Sequence, residues 1–157
     1  MTDIVGVVSF NSLRAVLGVD TEDLSDAVIV YFELEPSINV DMSLWFTQWK
    51  ELRDKVSKTD AEVLQFDALK TYLKYFCAYE VIISANFQFL QRKSDGEVES
   101  HRFKEDALLT LKNEYLARME KAKANVLAVD TDFTPDASTG RFTLLRRGSP
   151  NTDVVTD

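Results

Sequence analysis

Proline and glycine are scarce in this chain, with three and five among 157 residues, and their placement is uneven. Between Pro36 and Pro135 there is no proline and a single glycine, Gly96. A stretch so poor in helix breakers favours helix. One cysteine, Cys77, excludes an internal disulfide and a cysteine-rich metal site. One histidine, His101, leaves little material for acid–base or metal chemistry. No apolar run approaches the roughly 20 residues of a membrane helix. The opening MTDIVGVVSF has no basic flank and only a short apolar run, unlike a signal peptide, so a soluble chain, intracellular at synthesis, is expected. Basic residues are outnumbered, 18 against 26 acidic, for a net charge of −8. That balance argues against a groove that grips nucleic-acid phosphates.

What is present reads as an ordinary globular composition, 45% hydrophobic and 28% charged. A first helix is expected over Ser9–Leu17, with Ser9 or Asn11 as N-cap and Gly18 as the stop. After the polar loop Asp20–Asp26, Ser25 or Asp26 caps a second helix through Ala27, Val28, Tyr31, Phe32 and Leu34, which Pro36 ends or kinks. A strand competes there, because Val28–Phe32 is entirely β-branched or aromatic. A third helix fits Ser43–Val56, with Leu44, Trp45, Trp49, Leu52 and Val56 at helical spacing.

Thr59 and Glu62 form a Thr-x-x-Glu capping box, a helix start. Behind it Val63, Phe66, Leu69, Leu73, Phe76, Ile83, Phe87 and Leu90 fall along one helical face. The run Phe76–Leu90 is apolar on nearly every side, so this helix, extending to Gln91 over about 45 Å, is expected to be buried on several faces. Ser94–Glu97 (SDGE) is a turn signal. A last helix follows from about Ser100 to Ala128, its apolar face marked by Phe103, Ala107, Leu108, Leu111, Tyr115, Met119, Ala122 and Val126. The expected fold class is all-α: a long antiparallel helical hairpin with shorter N-terminal helices. Residues 1–129 form the helical domain. Residues 130–157, with two prolines and many Thr, Asp and Ser, form an extended or flexible arm.

Few side chains suggest chemistry. His101 sits among Glu99, Arg102 and Glu105 and reads as a solvated histidine, because no nucleophile elbow, metal-binding helix or phosphate loop accompanies it. Cys77, between Phe76 and Ala78, reads as a small core hydrophobe. Glu80 lies in an apolar stretch, so it is expected to pair with a Lys or Arg or to sit at an interface. Trp45 and Trp49, one turn apart, fit either the core or an exposed aromatic anchor for a partner. Phe142, Leu144 and Leu145, in the otherwise polar tail, suit an arm that adds to another subunit through main-chain hydrogen bonds. No metal or cofactor is expected.

The order of several segments carries a resemblance: SLRAVLGV at 12–19, TEDLSD at 21–26, KYFCAYEV at 74–81, KSDGEVE at 93–99 and HRF at 101–103. Over residues 10 to 130 the chain resembles the small helical head–tail connector proteins of tailed bacteriophages, also called adaptor or head-completion proteins. None of these motifs is diagnostic singly; their order and the chain length carry the likeness. The segment 36–41 and the tail after Val129 depart from the pattern. The resemblance implies a non-enzymatic virion protein of the neck, present in host cytoplasm during assembly. It implies a ring, commonly dodecameric, docked below the portal protein. Such a ring extends the DNA channel without binding DNA specifically and offers a surface to the next neck or tail-completion protein. On that reading Asp95, Glu97 and Glu99 at the hairpin turn face the channel or the portal. The net negative charge suits a channel through which DNA slides. The rival reading is a dimeric, non-enzymatic helical interaction module of a host cell. An enzyme would need convergent carboxylates and histidine on facing helices, and one His with one mid-helix Glu is too few.

Overall fold

The computed structural model describes residues 3–84 and 105–135, with side chains of the second segment from residue 109 onward. Eight elements follow one another: β1 (Asp3–Ile4), β2 (Val8–Ser9), α1 (Phe10–Leu17), α2 (Asp26–Tyr31), α3 (Leu34–Trp45), α4 (Trp49–Asp54), α5 (Asp60–Ser84) and α6 (Glu105–Ala128).

The all-α expectation needs one correction at the start. β1 and β2 form a small antiparallel hairpin, Asp3 opposite Ser9 and Ile4 opposite Val8. Its turn runs through Val5 (φ 48°) and Gly6 (φ 69°), both left-handed. Strands of two residues are too short to leave a period-two signal, so the sequence did not announce them. Val5 is a β-branched residue in a region that such residues avoid. It is held there by burial and by the Arg53 Nη1–H, which donates to its carbonyl at 3.0 Å.

α1 follows its sequence signals. The Ser9 hydroxyl accepts from the Ser12 N–H at 3.1 Å, and Gly18 closes the helix at φ 69°. Arg14 is buried and clamps the next loop: Nε donates to the Leu24 carbonyl at 2.7 Å, and the guanidinium also meets Asn11 and Asp26. α2 is capped by Ser25 as expected, but it ends at Tyr31. Glu33 then takes a left-handed φ of 46°, and α3 begins at Leu34. Pro36 therefore stands in the first turn of a helix instead of ending one. A first-turn residue has no intrahelical partner for its N–H, so proline costs nothing there.

The helix expected over Ser43–Val56 is two helices. α3 stops at Trp45, and α4 starts at Trp49. The break lets Phe46 turn inward to full burial beside Trp45, Trp49 and Leu52. Along one uninterrupted helix Phe46 would point about 100° away from Trp45.

α5 opens on the capping box. The Thr59 N–H donates to Glu62 Oε2 at 2.9 Å, and the Glu62 N–H donates to Thr59 Oγ1 at 3.3 Å. α5 then runs through the middle of the molecule, with α6, α1, α3 and α4 packed against it. Its inward residues Leu69, Tyr72, Leu73, Phe76, Cys77, Ala78, Val81 and Ile82 are buried. Val63 and Ile83, expected on the same buried stripe, are exposed instead. α6 lies along α5 and buries Tyr115, Met119, Ala122 and Val126. Its Tyr115 hydroxyl donates to the Val16 carbonyl of α1 at 2.7 Å. α5 and α6 thus pack together, as the hairpin reading requires; the turn Ser94–Glu97, Phe87 and Leu90 lie outside the described residues.

The chain does not leave the body at residue 130. Gln65, fully buried, donates to the Phe133 carbonyl at 2.9 Å and accepts from the Thr131 hydroxyl at 2.7 Å. Lys55 stands over the Phe133 ring at 5.5 Å, and Pro135 is buried. No described helix is long and apolar enough to cross a membrane.

Candidate interaction surface

A buried polar cluster is built by α3, α5 and α6. Asp41 is buried; its Oδ2 accepts from the Tyr72 hydroxyl at 2.8 Å and from the Trp45 indole N–H at 3.2 Å. Tyr72 meets Trp45 edge-on, with ring centroids 4.9 Å apart. Lys123, also buried, places its ammonium 4.7 Å from the Trp45 ring centre.

Burial pushes the Asp41 carboxyl up, and the Tyr72 and Trp45 hydrogen bonds and the Lys123 charge pull it back in part. Burial, reinforced by Asp41, also raises the Tyr72 phenol. Glu80 is half-buried, and its carboxyl is raised by burial first and by the charge of Asp41 second. The Cys77 thiol is pushed up to about 12, by burial and then by Glu80. A thiol so raised stays protonated and unreactive at neutral pH.

The expected Lys or Arg partner of Glu80 does not appear: among the described residues no salt bridge reaches it. The cluster is a core network with Asp41 at its centre and Glu80, repelled by it, at its edge. Among the described residues no group of three or more His, Cys, Asp or Glu side chains is placed to hold a metal ion.

The predicted interface residues fare differently. Trp45 and Trp49 are 2% and 3% exposed, so neither stands out as an anchor for a partner. Both belong to the chain's own core, where Trp45 packs on Tyr72 and Phe46, and Arg53 covers Trp49 at 5.4 Å. Asp95, Glu97, Glu99, Phe142, Leu144 and Leu145 lie outside the described residues, as does His101.

The surface that stands out was not among the predicted residues. At the start of α5 the usual arrangement is inverted. Glu62 and Gln65 are buried, while Val63 and Leu64 are 43% and 64% exposed. The polar pair is drawn inward by its local tasks, the capping box with its Lys55 ion pair at 2.6 Å and the docking of residues 131–133. The apolar pair is thereby left facing water. Beside it a shallow groove of about 500 Å³ runs between α5 and α6, with Leu64, Ala68, Ala122, Ala128 and Val129 along it and Asp67, Thr71 and Asn125 among them. Leu127 is exposed on α6. A second apolar stripe lies on α3, where Val40 and Leu44 are 65% and 57% exposed, one turn apart. With the helix bounds known, the α3 stripe is legible: Ile38, Met42 and Trp45 take the core face, and Val40 and Leu44 fall outside it. The inversion on α5 had no such signal.

Set against known proteins, the chain matches no family model, no curated protein and no solved structure.

Proposed function

We propose that this chain is a structural, non-enzymatic protein that associates with copies of itself, and that the assembly is the head–tail connector ring of a tailed phage. The observation that carries the self-association is the inverted start of α5, where polar side chains are buried and Val63 and Leu64 face outward. Apolar surface gathered into a patch, instead of scattered singly, marks an interaction site. Two unlike features are present, the α5–α6 groove, apolar over five of its eight lining residues, and the Val40–Leu44 stripe. A heterologous contact between unlike faces yields a ring when its rotation closes. The resemblance of residues 10 to 130 to head–tail connectors supplies the biological setting: portal protein above, the next neck or tail-completion protein below. The location follows from that setting, the virion neck, with host cytoplasm during assembly. The net charge of −8 suits a lumen through which DNA passes unbound.

The test mixes the purified chain with the portal ring of the same virus and images the product by electron microscopy. A second ring seated on the portal, absent for Leu64→Glu, is the expected result. A chain that stays dimeric and never binds portal would replace the connector reading with a small interaction module. Virions lacking the protein are expected to show filled heads that leak DNA and carry no tails.

A further inference from the structure

A different apolar groove lies at the N-terminal end, between the β-hairpin and the α2–α3 junction. It has a volume of about 400 Å³, and Ile4, Val5, Phe10, Ile29 and Leu34 form its apolar lining. Its rim carries three acids, Asp3, Glu33 and Glu35, and no lysine or arginine lines it. Arg53 approaches Glu35 from outside the groove, but its guanidinium is already engaged by Asp54 and the Val5 carbonyl. Both left-handed non-glycine residues of the described chain, Val5 and Glu33, belong to this groove. Such backbone persists only where the surroundings hold it, and it gathers at binding sites.

The chain itself contains a segment of matching chemistry. Beyond Lys123 the only cations are Arg141, Arg146 and Arg147, and they bracket Phe142, Leu144 and Leu145. Three cations around an apolar triplet complement three acids around an apolar floor. The geometry also brings the two within reach. Arg53 holds the Val5 carbonyl on the groove side, and Lys55, two positions on, covers Phe133 near the end of the described chain. From Pro135 to Arg141 is six residues, about 20 Å when extended, and to Arg147 twelve, about 40 Å. A tether that short gives an effective concentration in the mM range.

We propose that this groove is the receptor of the chain's own C-terminal segment 141–147, which docks there within one molecule: Phe142, Leu144 and Leu145 on the apolar floor, the arginines on the acidic rim. The proposal stands apart from the ring, because a chain that never oligomerises can still dock its tail.

The test uses the full chain. Val30, half exposed at the groove, and Leu144 are replaced together by cysteine and mildly oxidised; Cys77 is buried and stays out of the reaction. The expected product is a disulfide within a single chain, seen as a monomer on a non-reducing gel with the linkage located by peptide mapping. No linkage, or linkage only between chains, overturns the proposal. Amide hydrogen exchange gives a second readout in unlinked protein. Leu144→Asp with Leu145→Asp speeds exchange at residues 29–34 about 10-fold while α6 is unchanged. Glu33→Lys with Glu35→Lys has the same effect, and adding Arg146→Glu and Arg147→Glu restores protection. Exchange that ignores all of these changes overturns the proposal equally.

Discussion

α5 and α6, described over 25 and 24 residues, lie against each other, yet they are unlike parts. α5 is packed by α6 and by the N-terminal helices, and its middle is buried on several sides. α6 offers one narrow stripe, Tyr115, Met119, Ala122 and Val126, and reaches beyond α5 through single side chains such as Tyr115 and Lys123. The lesson is that a helical hairpin need not divide its labour evenly. α5 is the post on which the fold is assembled, and α6 is a strut laid along it. α5 also reaches the surface, at its first two turns, where Val63 and Leu64 face outward, and at Ile83 in its last turn.

The contrast breaks most sharply under truncation of equal size. Leu73→Ala on α5, at a site with no exposure, is expected to cost about 2–5 kcal/mol, whereas Leu127→Ala on α6, 36% exposed, stays within about 0.5 kcal/mol. Urea unfolding of the two variants decides it; similar losses would erase the distinction between post and strut.

The next effect probes the polar cluster that ties α3 to α5. Tyr72→Phe strips one donor from the buried Asp41 carboxylate and is expected to cost about 1–3 kcal/mol. The pH dependence has a definite sign. Folded Asp41 holds its proton to higher pH than the ordinary 3.8. In the window between those two values the folded state binds more protons than the unfolded one, so stability falls as pH rises. Asp41→Asn removes that contribution and flattens the slope. Glu62 acts the other way: Lys55 and Thr59 hold its carboxyl below the ordinary 4.5, and the stability it adds is lost as pH falls through that region. Denaturant midpoints from pH 3 upward for wild type, Asp41→Asn and Glu62→Gln separate the two contributions.

A smaller effect concerns the segment beyond α6. Gln65→Leu keeps the side chain buried but removes the bonds to Phe133 and Thr131, so cleavage by a nonspecific protease near residues 130–135 is expected to quicken several-fold while α5 and α6 stay intact. Unchanged cleavage would mean that Gln65 does not hold this segment. Smallest is Glu80→Gln. Glu80 has no cation partner among the described residues and is repelled by Asp41, so neutralising it raises the urea midpoint slightly at pH 7. The gain vanishes once the pH is low enough to protonate Glu80. A lower midpoint would reveal an ion pair.

Where a side chain talks to its own backbone, the sequence was readable. Ser9, Ser25, Gly18 and the Thr59–Glu62 box each mark a helix end through a bond spanning a few residues, and each sits where expected. The long α5–α6 pairing was readable too, because its apolar spacing persists over many turns. Pro36 misled because a proline in a first turn looks the same, in sequence, as a proline past a last one. The break at Phe46 misled because Trp45, Trp49 and Leu52 keep helical spacing across it. The apolar surface at Val63 and Leu64 stayed hidden because the capping box marks a helix start without saying that Glu62 is buried, and the burial of Gln65 lies in distant contacts with Thr131 and Phe133. The tryptophans illustrate the converse: conspicuous in sequence, they are spent on the core.

The claim on which the function rests is that the outward apolar faces join copies of this chain. Sedimentation velocity of wild type and Leu64→Glu, each alone and each with the portal ring, measures it most directly. Wild type is expected to form one closed oligomer, alone or on the portal, and Leu64→Glu a single-chain species under both conditions. Wild type that sediments as a single chain in both, or a Leu64→Glu variant that assembles as well as wild type, would contradict it.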